Sequence, residues 1–146
     1  MHKDFEDLLA ILNKNQVKFL IVGAFALAYH GYPRNTGDID IWIYPAEENA
    51  NKTVQAIKEF FGSTLGVTNE DIISGKIIQF GRPPVRIDLI SILTGVTTDE
   101  IWDNRITGKF AGIDVYFIDK KTFIKNKRAI GRGKDIVDVD AISTDE

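Results

Sequence analysis

Residues 17–44 read VKFLIVGAFALAYHGYPRNTGDIDIWIY, and this stretch decides the fold. Val17 to Val22 is a short, mostly apolar run rich in β-branched residues that stops at Gly23, as a buried strand does. Residues 24–30 (AFALAYH) are helix formers closed by Gly31 and Pro33. From Asp38 to Tyr44 the period is two. Ile39, Ile41 and Ile43 lie on one face, and Asp38, Asp40, Trp42 and Tyr44 on the other. Pro45 ends the strand.

Working outward, residues 4–15 carry Phe5, Leu8, Leu9, Ile11 and Leu12 at helical spacing, with acids early and Lys14 late, as the helix dipole favours. Residues 47–61 read as a second amphipathic helix, with Val54, Ile57, Phe60 and Phe61 inward. Residues 76–80 and 85–91 predict two strands around Gly81-Arg82-Pro83-Pro84, and a short helix follows near 98–104. RITGKF and IDVYFI flank Ala111-Gly112 as a hairpin. Residues 121–130 and 134–143 form two closing helices separated by Gly131 and Gly133. Strands alternating with helices indicate an α/β fold with a mixed sheet flanked by helices. With 146 residues and no repeat or linker, one domain over 1–146 is the expectation.

Composition narrows the chemistry. The chain has no Cys and only two His, which excludes a disulfide scaffold, a thiolate metal site, a cysteine nucleophile and a histidine-rich metal site. The net charge of −3 argues against broad, nonspecific gripping of nucleic acid. No apolar run approaches the roughly 20 residues that span a bilayer. The N-terminus lacks the basic-then-apolar order of a secretory signal, so a cytoplasmic location is expected.

The acids stand out. Residues at i and i+2 of a strand share a face, so Asp38 and Asp40 lie side by side, and on 85–91 Asp88 shares a face with Arg86 and Ile90. Acids are depleted in strands. Two edge strands with solvated polar faces would account for them. If the strands are instead neighbours, three carboxylates crowd together, each like-charge pair at ~4 Å costing about 4 kcal/mol at an effective dielectric of ~20. A hard divalent cation with all-oxygen ligands, Mg²⁺ or Mn²⁺, would relieve that.

The stretch from Gly23 to Ile43 resembles the core motif of the DNA polymerase β-like nucleotidyltransferase superfamily. Those proteins carry a Gly-Ser or Gly-Gly turn opening a short helix, an acid-x-acid strand and a third acid on a later strand. Gly23, Asp38, Asp40 and Asp88 take those places. The run Arg34-x-Thr36-x-Asp38-Ile39-Asp40 is similar to small bacterial and archaeal nucleotidyltransferases, including abortive-infection toxins. Lys127, Gly131, Arg132, Lys134, Asp135 and Asp138 match their C-terminal signature. One position departs: Ala24 stands where Ser or a second Gly is usual, which removes about one hydrogen bond to phosphate, worth about 0.5–1.5 kcal/mol.

The resemblance implies the nucleotidyltransferase fold and a Mg²⁺-dependent (or Mn²⁺-dependent) enzyme. It would move a nucleoside monophosphate from an NTP, such as ATP, to a protein or RNA hydroxyl and release pyrophosphate. Asp38, Asp40 and Asp88 would be both catalytic and metal-binding. Gly23, Ala24, Arg34, Thr36 and Lys127 would bind nucleotide, and Arg128 and Arg132 would grip the acceptor; a turn role for the Arg34–Thr36 segment and a solvated helix face for the basic run Lys120–Lys134 are the competing readings. A toxin–antitoxin role, with an antitoxin or a homodimer as partner, follows from the same analogy. The rival is a non-catalytic module of this fold acting through a partner protein, which Ala24 favours. Other residues have local readings. Asp135 is expected as a helix N-cap, Asp138 as a partner of Arg132 or Lys134, His30 as a cap, and Arg86 as a counterion to Asp88. Trp42 and Tyr44 are open to either packing or base stacking.

Overall fold

The computed structural model describes residues 3–32, 37–82 and 85–143. Six strands make one mixed sheet: β1 (Phe19–Val22), β2 (Asp38–Ile43), β3 (Ile78–Arg82), β4 (Val85–Ile90), β5 (Ile106–Phe110) and β6 (Ile113–Phe117), in the order β3-β4-β2-β1-β6-β5. β1 runs antiparallel to β2 and parallel to β6, while β2 runs parallel to β4. The hairpins β3–β4 and β5–β6 close the two edges. The apolar central strands are therefore shielded on both sides along the sheet, and all four residues of β1 are buried.

Among the described residues the helices are α1 (Lys3–Lys14), α2 (Gly23–Tyr29), α3 (Glu47–Phe61), α4 (Asn69–Ile73), α5 (Thr98–Asp103), α6 (Lys120–Ile130) and α7 (Gly133–Ser143). The apolar stripe of α1 is buried through Phe5, Leu8, Leu9 and Leu12, and α1 packs against α3. On α3, buried Asn49 locks β1 to β2. Its Oδ1 accepts from the Lys18 N–H at 2.7 Å, and its Nδ2 donates to the carbonyls of Lys18 and Tyr44 at 3.0 and 2.9 Å. This clamp fixes the antiparallel register that sets Asp40 beside Val22.

The inward face of α3 is narrower than periodicity predicts. Ile57 is buried with Ala50, Thr53 and Ala56, while Val54, Phe60 and Phe61 are only partly covered. α4 was not expected; its signal is the capping box Thr68–Asp71, in which each residue's side chain caps the other's backbone N–H.

Candidate active site

β2 and β4 are parallel neighbours, with Asp40 directly opposite Asp88 and Asp38 opposite Arg86. Because side chains alternate across a strand, Asp38, Asp40, Arg86 and Asp88 all emerge from one face. The carboxylate crowding considered above is therefore real. Two features other than a metal relieve it. Arg86 reaches across both strands: its Nε and a terminal nitrogen donate to the two Asp88 oxygens at 2.9 and 3.1 Å, and that terminal nitrogen lies 3.2 Å from Asp38 Oδ2. Asp40 relieves part of the remainder through a raised proton affinity. Its burial, then the Asp88 charge and a hydrogen bond with Asp88, push its carboxyl up to about 6, against a smaller opposing pull from Lys127 and Lys134.

Gly23 explains why Asp40 can sit so deep. At the β1–α2 junction its φ is +68°, and a Cβ built on it would fall onto the Asp40 carboxylate. Only glycine gives both the backbone turn and the space. Beside these acids lies a cavity of about 360 Å³ whose lining includes Gly23, Ala24, Asp38, Asp40, Asp88 and Lys127. Six of the eight sequence-predicted site residues thus meet at one place. Arg34 and Thr36 lie outside the described residues.

A scan against protein-family models finds no match, and neither does a search of curated proteins. Solved structures do match. The antibiotic-resistance factor ANT(2'')-Ia aligns at a TM-score of 0.62 and 12% identity, over 97% of this chain and 82% of its own. The lincosamide antibiotic adenylyltransferase LnuA, in its lincomycin-bound form, aligns at 0.58 and 12% identity over 98% and 96%. A Thermotoga maritima protein described as a nucleotidyltransferase aligns at 0.59 and 13% identity over 97% and 91%. The chain has the nucleotidyltransferase fold.

Within the nucleotidyltransferase fold, α6 and α7 form the wall facing the acids. Lys127 is buried to 12% side-chain exposure and lies 3.4 Å from Asp135, with its Nζ 5.5 Å from the centre of the Phe123 ring. Asp135 is not the N-cap expected from the sequence. α7 starts at Gly133, so Asp135 falls within its first turn, and its side chain is fully buried. Arg132 donates to it at 2.7 and 3.3 Å, holding its carboxyl below the ordinary 3.8 with help from Lys127. The triad Lys127–Asp135–Arg132 ties α6 to α7 and commits the Arg132 guanidinium to Asp135. Arg128 is exposed and does not line the cavity. Asp138 is buried, lines the cavity and interacts with Arg132.

Trp42 is fully buried and donates its indole N–H to the Ser91 carbonyl at 3.1 Å. It is a packing residue, because α5 covers this end of the strand face and brings Trp102 beside it. His30 is the C-cap of α2, and its Nε2 lies 2.9 Å from the Ile118 carbonyl. The lining also includes Ile77, Gln79, Ile92 and Asn126, which no motif or periodicity in the sequence marks as site residues.

Whether this site fits a divalent cation is a matter of donor chemistry. Among the described residues, no three Asp, Glu or His side chains converge closely enough to hold a metal ion as arranged. Asp38 and Asp88 are turned toward Arg86. The donors nonetheless fit a hard cation: all are carboxylate oxygens on adjacent strands, and a guanidinium stands in as the positive charge between two of them.

Proposed function

We propose that this chain is a Mg²⁺-dependent nucleotidyltransferase that moves a nucleoside monophosphate from an NTP to a hydroxyl acceptor. The observation that carries the reading is the direct opposition of Asp40 and Asp88 on parallel strands, with Asp38 two residues away, all in one cavity with Lys127.

Asp38, Asp40 and Asp88 would hold the divalent metal, which when bound supplies Lewis-acid neutralisation of the triphosphate and of the attacking oxygen. The chain's own groups do the rest. Lys127, held by Asp135, presents a positive charge toward the phosphates. Gly23 and Ala24 leave the cavity floor open for them. Asp88 receives the acceptor hydroxyl's proton. The acceptor oxygen then bonds to the α-phosphorus, the bond from that phosphorus to its bridging oxygen breaks, and pyrophosphate leaves with that electron pair. Arg86 must release Asp38 and Asp88 before they can serve as ligands.

The same resemblance offers protein and RNA hydroxyls as acceptor classes, and a toxin paired with an antitoxin as the cellular role. The non-catalytic alternative gains support from Arg86, which already neutralises two of the three acids. The test is transfer of label from α-labelled NTP by the wild type and by Asp40→Asn and Asp88→Asn. The proposal expects loss of transfer in both variants, with a melting temperature at or above that of the wild type in Asp40→Asn and a folded protein, lacking the Arg86–Asp88 ion pair, in Asp88→Asn. Transfer that persists in either variant would overturn the assigned roles.

A further inference from the structure

Ile77 and Ile92 are 57% and 60% exposed, yet both line the same cavity as the acids. Single exposed isoleucines are ordinary, whereas two at one cavity mouth, continuous with further apolar side chains, form a surface with a use. Ile90, Leu93 and Ile130 extend it. On β4, Ile90 follows Asp88 on the same face of the sheet, about 6–7 Å further along at the strand rise, so the apolar surface begins where the Asp88 side chain ends.

The rim is held firmly. Ser91 donates to the Ile72 carbonyl at 2.6 Å, and Asn126 donates to the Thr94 carbonyl at 2.9 Å, pinning both sides of Ile92. Gly75, at φ +85°, leaves the space that the Ile92 side chain fills; a Cβ there would overlap Ile92 Cδ1. These side chains are exposed because of where the backbone places them.

The charges are distributed differently. Apart from Arg86, the bases of the lining (Lys127, Arg132 and Lys134) come from α6, α7 and the turn between them. The β3–β4 side beyond Asp88 is neutral, offering Ile77, Gln79, Ile90 and Ile92. Four acids (Asp38, Asp40, Asp88, Asp138) balance four bases, so no excess negative charge draws in a polycation. Among the described residues that line the cavity, none on the β3–β4 side beyond Asp88 is basic, and the nearby Lys76 is paired with Asp71 at 3.8 Å, so this side offers little to a phosphodiester backbone.

We infer that the surface formed by Ile77, Ile90 and Ile92 is the acceptor subsite, and that it selects a neutral hydroxyl carried on an apolar body. The inference rests on the transfer reading above, because that reading places the acceptor hydroxyl at Asp88. A hydroxyl at Asp88 would lay its carbon skeleton along Ile90 and Ile92.

The test uses the wild type and the double variant Ile77→Ser/Ile92→Ser, both sites being exposed enough for the fold to tolerate the change. The acceptors are straight-chain primary alcohols from ethanol to hexanol, with an RNA oligonucleotide and a polycationic aminoglycoside for contrast. The donor is the α-labelled NTP that most stabilises the protein. In the wild type kcat/KM is expected to rise about fourfold per methylene, the transfer value for one buried CH₂. In the variant that rise flattens while the Mg²⁺-dependent melting shift with NTP is retained. If the nucleotide shift is present but the alcohol series is flat or inert, or RNA or the aminoglycoside is the better acceptor, this inference falls and the transfer reading stands. If no NTP shifts the melt, both fall.

Discussion

Replacing Asp40 by Asn should stabilise the metal-free protein, by an amount that depends on pH. Asp40 is held at about 6 against an ordinary 3.8. At about 1.4 kcal/mol per pKa unit, ionising it in the fold costs about 3 kcal/mol. The folded state binds the proton more tightly than the unfolded chain, so this part of the stability is present at low pH and lost as pH rises from about 4 to about 6. Asn keeps the shape and can still donate to Asp88, but it carries no charge. The difference between variant and wild type should be near zero below about pH 4 and reach up to about 3 kcal/mol near pH 8. At roughly 2–4 °C per kcal/mol for a domain somewhat larger than this one, that is a rise of about 6–12 °C in Tm. The assay is urea unfolding of both proteins in chelator across this pH range. A variant no more stable than the wild type near pH 8, or one stabilised equally near pH 4, would refute the reasoning.

Other substitutions probe the same site from different sides. Arg86→Met leaves Asp38 and Asp88 without their guanidinium and should destabilise the metal-free protein by about 1–3 kcal/mol, with millimolar Mg²⁺ restoring most of the loss in urea titrations; no restoration would mean the acids do not bind the cation. Asp135→Asn leaves the largely buried Lys127 without its carboxylate, while the exposed Arg132 turns to solvent, and should cost about 1–3 kcal/mol. Because its carboxyl is held below 3.8, that contribution is full above this pH and fades below it, the reverse of Asp40, as acid unfolding of the pair would show. Ala24→Ser returns a hydroxyl to the cavity floor and should tighten Mg²⁺–NTP binding by one hydrogen bond, about 2- to 13-fold, measured by calorimetry; unchanged affinity would place the phosphates elsewhere.

Local pattern was readable in the sequence wherever it was strong. The alternation Asp38–Ile43 announced β2 and its acidic face, and Ala111-Gly112 announced the β5–β6 hairpin. The decisive juxtaposition was not readable from periodicity. Asp40 and Asp88 are 48 residues apart, and their pairing depends on β2 and β4 becoming parallel neighbours while β1 occupies the other side of β2. Only the resemblance to known nucleotidyltransferases suggested it. Asp135 was misread because spacing from Gly133 cannot show whether a helix begins before or after an acid. Its i−3 partner Arg132 and the distant Lys127 draw it inward. Trp42 was left open because alternation put it on the acidic face, and only the tertiary packing of α5 buries it. Ile77 and Ile92 had no pattern to announce them, since their importance lies in being uncovered.

The most direct test is a set of thermal melts of the wild type and Asp88→Asn with ATP, CTP, GTP and UTP, with and without Mg²⁺. At 100 times its dissociation constant a nucleotide stabilises the wild type by about 2.7 kcal/mol, a shift of roughly 5–20 °C across the domain sizes that bracket this one. The account predicts that shift with at least one nucleotide, only when Mg²⁺ is present, and its loss in Asp88→Asn. No shift at millimolar nucleotide, or an equal shift without Mg²⁺ or in the variant, would contradict it.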